Sequence, residues 1–192
     1  MTTSLSQTAN VEKSMHLLKG WLAPRLAPEA AAWLTAQMAT IVSGEKPMQL
    51  AMAIGLAPRK VGKADLDLKP DEAEAGRAAR SGLDATGWSV DQAVRILLVL
   101  AGYRGDDDRF VAGLDRILAA AEIGEQIALL RGLPLYPAPE KLLHRAAEGV
   151  RSAMQPIFEA VAHRNPYPRE QFSEAQWNQM VVKTLFIESR LW

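Results

Sequence analysis

Ser89-Val90-Asp91-Gln92-Ala93-Val94-Arg95-Ile96-Leu97-Leu98-Val99-Leu100-Ala101-Gly102 decides the fold class. Ser89 followed three residues later by Gln92 is a capping box, and Gly102 is a helix stop, so the spacing predicts a helix over 89–101. Val90, Val94 and the run from Ile96 to Leu100 leave it almost no polar side. A helix that is apolar all round is buried, so this one must be surrounded by other elements. Asp91 and Arg95 interrupt the pattern one turn apart, with the acid first, the favourable order for an ion pair. A buried arginine has five donors to satisfy, and one aspartate is not enough. Two readings follow: an internal structural pair, or an Arg95 that lines a pocket for an anionic or polar ligand.

The elements around it are helical too. Alternating strand patterns and Val/Ile/Thr clusters are essentially missing. Helices are expected from about Val11 to Leu22, from Pro28 to Ser43 with proline at the favoured first position, and from Pro47 to Gly55. Pro58 to Lys69 reads as a loop. A helix then runs from Pro70 towards Gly82. Asp106, Asp107 and Asp108 open another that reaches about Ala121, where three carboxylates suit the positive end of the dipole. Glu122 to Leu130 follows. Pro134, Pro137 and Pro139 mark a loop, and Pro139 to His163 is a long helix that Pro156 should kink or break. Ser173 with Gln176 is a second capping box and opens the last helix, with Phe172 placed to staple against Trp177. The expectation is an all-α single domain of about eight or nine helices, a bundle or a short HEAT-like stack of helix pairs. Residues 1–10 read as a polar N-terminal tail and 11–192 as the helical domain.

Composition bounds the function. At 192 residues, 48% hydrophobic and 23% charged, the chain can build an ordinary core without staples. Lys and Arg balance Asp and Glu at 22 each, which gives no net field to attract nucleic acid or an anionic membrane. The absence of cysteine removes disulfides, thiolate metal sites and cysteine nucleophiles. The polar N-terminus is no secretory signal. The longest apolar run, Ile96 to Ala101, is far short of the roughly 18 residues of a membrane helix. A cytoplasmic protein is expected, with no transmembrane segment and no nucleic-acid partner.

His163-Arg164-Asn165-Pro166-Tyr167-Pro168 is a two-proline elbow leading into the last helix. Residues before proline are pushed to extended conformations, so the elbow should form no helix and leave carbonyls free. At about 100° per residue, Asn178 falls between Leu185 and Val182, while Gln179 and Lys183 form a plausible exposed strip. Asn178 is therefore expected to be buried and to hydrogen-bond the elbow carbonyls. It is either a polar staple or, with Tyr167, part of a ligand contact. His144, Glu148, Arg151 and Gln155 share one helix face, either solvated or a binding row. His144 and Glu148 make half a metal motif, but no second histidine follows, and no metal or cofactor is expected. Arg59, Lys60 and Lys63 form a small basic cluster that is either solvated or meets a phosphate.

The segments Trp88 to Arg95, Ala147 to Arg151, Asn165-Pro166-Tyr167-Pro168 and Trp177-Asn178-Gln179-Met180, with Ala57 to Lys63, together resemble EboA-type proteins. The likeness covers roughly residues 50 to 188 and is most specific at the elbow and Trp177 to Met180. Residues 1–45 carry no matching motif, and Thr184 and residues 189–192 depart from the pattern. The resemblance implies a component of metabolite traffic. Proteins of that type sit in a bacterial gene cluster whose other members resemble a prenyltransferase and several metabolic enzymes, and which is linked to moving a secondary-metabolite precursor out of the cytoplasm; no reaction is assigned to the family itself. The expected function is a non-catalytic binding or adaptor protein, its partners a small metabolite or other proteins of that cluster. The candidate contacts are Arg59, Asp91, Arg95, Glu148, Arg151, Asn165, Tyr167 and Asn178. The alternatives are a small-metabolite enzyme whose pocket uses Arg95, His144, Glu148 and Tyr167, and a purely structural subunit.

Overall fold

The computed structural model describes residues 2–44 and 48–189. Eleven α-helices lie among them: α1 (Thr2–Leu22), α2 (Pro28–Ser43), α3 (Gln49–Val61), α4 (Pro70–Ala79), α5 (Val90–Ala101), α6 (Asp107–Ala120), α7 (Ile123–Arg131), α8 (Leu143–Arg151), α9 (Gln155–Ala162), α10 (Tyr167–Gln171) and α11 (Glu174–Phe186). No strand occurs among the described residues, and one isolated bridge pairs Asp65 with Ser89. The fold class is all-α, as expected, with a few more helices than anticipated. Pro156 breaks the long helix into α8 and α9, and the elbow adds α10.

α5 is the axis. Every one of its residues except Gln92 is buried, and α1, α2, α3 and α7 pack around it. Trp21 of α1 meets Trp88 edge-on, ring centroids 6.4 Å apart, just before α5 starts. α4 lies on α1 so closely that a Cβ at Gly76 would stand 2.7 Å from the Trp21 ring. α8 and α9 pack on α7, and α10 on α9. Between α7 and α8, two 3₁₀ turns, Leu133–Leu135 and Pro139–Leu142, hold the proline loop. That loop is buried from Leu133 to Ala138.

Four local expectations need correction. α1 begins at Thr2, not near Val11. α3 does not stop before Pro58 but carries it and ends at Val61, and the expected start at Pro47 lies outside the described residues. Proline removes the N–H that would bond the Ile54 carbonyl one turn earlier. Arg95 supplies the missing donor, its Nε bonding Ile54 O at 3.1 Å. The elbow was expected to be non-helical; instead Tyr167 and Pro168 open α10, where the first turn needs no N–H from proline.

The fourth correction is Asn178, which is exposed. α11 buries Met180 and Thr184 instead. Val182 and Leu185, the residues that set the expected phase, are 51% and 62% exposed, and Phe186 beside them is 83% exposed. Two polar residues make the inward face workable. Thr184 returns its hydroxyl to Met180 O at 2.9 Å. Lys183, expected on an exposed strip, is half-buried and donates to Val150 O at 2.8 Å and Ser152 O at 2.6 Å, at the C-terminal end of α8. A cation there also meets the negative end of that helix. No helix among the described residues is long and apolar enough to cross a membrane.

Candidate functional site

The Asp91–Arg95 pair is sealed. Asp91 is 3% and Arg95 6% exposed. Arg95 Nη1 donates to Asp91 Oδ2 at 2.7 Å and to Gly124 O at 3.3 Å, while Nε reaches Ile54 O. Ser89 Oγ donates to Asp91 Oδ1 at 2.6 Å. The pair therefore bolts α5 to α3 and to the first turn of α7.

Tyr167 is wholly buried, and its hydroxyl donates to Pro139 O. His144, Glu148 and Arg151 are exposed. His144 Nε2 lies 3.0 Å from Asp115 Oδ1, but Glu148 pairs with Arg145 at 2.7 Å instead of with the histidine. Burial alone would raise the Asp115 carboxyl; the Arg145 hydrogen bond and the nearby cations overcome that and hold it low. Arg59 is exposed in the last turn of α3. Arg95, His144, Glu148 and Tyr167 are thus held by four different sets of neighbours.

The amide that staples the elbow is Asn165 rather than Asn178, and it pins the elbow to α7 and α9 rather than to the last helix. Its Nδ2 donates to Leu130 O at 3.2 Å and Ala160 O at 3.1 Å, and its Oδ1 accepts from Tyr167 N–H at 3.0 Å. One amide thereby ties the last turns of α7 and α9 to the start of α10. Beside this knot opens a polar cavity of about 330 Å³, at the small end of the ~300–1,000 Å³ common for ligand sites. Thr86 and Trp88 line it from the approach to α5, Arg131 from the end of α7, Gln155 and Glu159 from α9, His163, Arg164 and Asn165 from the elbow, and Glu188 and Ser189 from beyond α11.

Its charges are unevenly matched. Arg131 Nη1 donates to Gly87 O at 2.7 Å and Gln92 Oε1 at 2.6 Å, both neutral acceptors. Burial, then the Arg164 charge, pushes its guanidinium below its ordinary value, although it stays cationic at neutral pH. Arg164 lies 3.6 Å from Asp84. Glu159 Oε1 accepts from Gln155 Nε2 at 2.8 Å and Ser189 Oγ at 2.5 Å. Burial would raise this carboxyl, but those hydrogen bonds, with His163 and Arg131, bring it below the usual range, so it is ionised at neutral pH. Burial pushes His163 down despite Glu159, with Arg164 adding to the shift, which leaves the imidazole neutral. Its Nε2 is 3.3 Å from Ser189 Oγ. Arg164 and Glu188 hold φ of 50° and 52°, a left-handed backbone that costs a non-glycine residue of order 1 kcal/mol.

A family model described as "Metabolite traffic protein EboA" matches residues 14–192. The chain belongs to the EboA family. The match begins well before the stretch on which the resemblance rested and takes in the end of α1 and all of α2 as well. Neither the curated proteins nor the solved structures offer a match to this chain. Of the eight contacts proposed for the EboA fold from sequence, the cavity takes in Asn165 alone. Arg131 and Glu159 were missed. A last-turn arginine and a mid-helix glutamate look like ordinary surface charges until the two helix ends are brought together.

Proposed function

We propose that this EboA protein is a binding component of metabolite traffic that holds a small polar metabolite in the elbow cavity, on the cytoplasmic side, without transforming it. The observation that carries this reading is the cavity itself. Its walls come from five separate stretches of chain, and a partly buried arginine faces it with only neutral acceptors on its Nη1. The hydroxyl nearest the imidazole gives its proton to Glu159. Ser189 is thus spent on the carboxylate rather than poised for attack, since a serine nucleophile needs the base as its proton acceptor. The test is metabolite profiling of a strain carrying Arg131→Gln beside a deletion strain. The same precursor should accumulate in both. A wild-type profile in the Arg131→Gln strain, with the protein at normal abundance, overturns the reading.

A second reading, an adaptor that recruits another protein of the cluster, is supported by α11. Val182, Leu185 and Phe186 present an apolar strip to solvent, and exposed apolar strips of this kind mark contact surfaces. Co-purification with the products of neighbouring genes, lost in Phe186→Glu, would support it; retention in that variant would remove α11 from consideration.

A further inference from the structure

We infer that the elbow cavity is built for an amino-carboxylate zwitterion, a molecule carrying an ammonium and a carboxylate a few bonds apart. The inference rests on the proposed binding function and names the ligand class.

Arg131 and Glu159 line one cavity and feel each other electrostatically, yet they form no ion pair. Each is left with open valences. The bonds of Arg131 to Gly87 and Gln92 both use Nη1, so the rest of the fork is uncommitted among the described residues. Both bonds to Glu159 end on Oε1, which leaves Oε2 without a hydrogen bond among them. Opposite charges in a partly dry cavity gain by pairing. What keeps them apart is framework: Arg131 is anchored on the approach to α5, and Glu159 on Gln155 and Ser189. A guest with a carboxylate for the guanidinium fork and an ammonium for Oε2 would complete both. A guest with only negative charge meets Glu159 and Glu188 in the same wall. A purely cationic guest meets Arg131. The C-terminal end of α9, the helix that carries Glu159 and leads into His163, adds partial negative charge that favours the ammonium end. The cavity, about 330 Å³, admits a free amino acid or a molecule of similar size.

Calorimetric titration of the purified full-length protein with the standard L-amino acids, and with the N-acetyl and carboxamide forms of each that binds, tests this. At least one free amino acid should bind, and each blocked form should bind roughly tenfold more weakly or worse. Glu159→Gln should remove the preference for the free ammonium, and Arg131→Gln the preference for the free carboxylate. Melting curves establish that both variants are folded, and Arg131→Lys replaces Arg131→Gln if the latter is not. Binding of N-acetyl forms or acetate as tight as that of the parent amino acid overturns the zwitterion and leaves a carboxylate site, so the metabolite-binding reading survives. Binding of none of the free amino acids also overturns it. The profile of the Arg131→Gln strain then decides the broader reading by itself.

Discussion

Arg95 and Arg131 stand on the packed helices α5 and α7, and both reach backbone carbonyls, yet they do opposite things. Arg95 has a carboxylate one turn away, two carbonyls to absorb further donors, and almost no exposure. Arg131 has a carbonyl and an amide oxygen, and a cavity in front of it. The first arginine is finished and the second is not. An arginine whose charge is met by a buried carboxylate is structure, and one that faces a cavity with only neutral acceptors is the one we propose as a binding group. The difference lies in the partners, which come from distant parts of the chain.

The sharpest way to break this comparison is to truncate both arginines. Arg95→Met strands Asp91 as a buried charge and takes the donor from Ile54 O, so it should cost about 3–5 kcal/mol. Arg131→Met leaves acceptors that water can reach from the cavity and should cost about 1 kcal/mol or less. Denaturant midpoints give both numbers. Equal losses would mean that Arg131 is a structural bolt too. Asp91→Leu combined with Arg95→Met removes the stranded charge and should recover most of the loss.

Next in size is the frame of the cavity. Asn165→Leu removes three hydrogen bonds at once, to Leu130 O, Ala160 O and Tyr167 N–H. It leaves buried backbone groups unpaired, a cost of about 2–3 kcal/mol. Tyr167→Phe, which loses only the bond to Pro139 O, should cost about 1 kcal/mol. An Asn165→Leu melt no worse than that of Tyr167→Phe would show that the elbow is held by packing rather than by the amide.

A third arginine sharpens the contrast through pH. Arg25 Nη1 and Nη2 hold the two oxygens of Glu72 at 2.7 and 2.5 Å. That hydrogen bonding, against burial, brings the carboxyl from 4.5 down to about 2. Because the folded value is depressed, the stabilisation is present above about pH 4.5 and is lost as pH falls towards about 2. Arg25→Met should cost about 1–2 kcal/mol at neutral pH, the pair being partly exposed. Its stability should also fall less steeply than wild type through that window. Parallel pH profiles would mean that the pair contributes nothing.

The sequence made α5, both ends of α2 and the capping boxes at Ser89 and Ser173 legible because those signals are local. Side-chain caps and proline or glycine punctuation act within a turn. It also exposed the Asp91–Arg95 anomaly, but not which of the two readings holds, since Ile54 and Gly124 are supplied by other helices. Pro58 was misread for the same reason: its cost falls on a carbonyl that a side chain far along the chain repairs. The cavity was invisible except through Asn165, because Arg131 and Glu159 come to line one space only when α7 and α9 pack together.

α11 is where helical periodicity misled, and it yields the smallest predicted effect. The apolar residues share a face, but burial there goes to Met180 and Thr184, held by local and capping hydrogen bonds. Asn178 lies among the exposed apolar residues, and the amide that ties the elbow down is Asn165 instead, through the α7 and α9 carbonyls of Leu130 and Ala160. Asn178→Leu should therefore shift stability by no more than about 0.5 kcal/mol, as exposed substitutions do. It should also enlarge the apolar strip around Val182 and Phe186, so any change would appear as association at high protein concentration, read by light scattering. A loss of 1 kcal/mol or more in dilute protein would instead place Asn178 inside the fold. The inward face built on Met180 and Thr184, and with it the exposure of Phe186, would then be wrong.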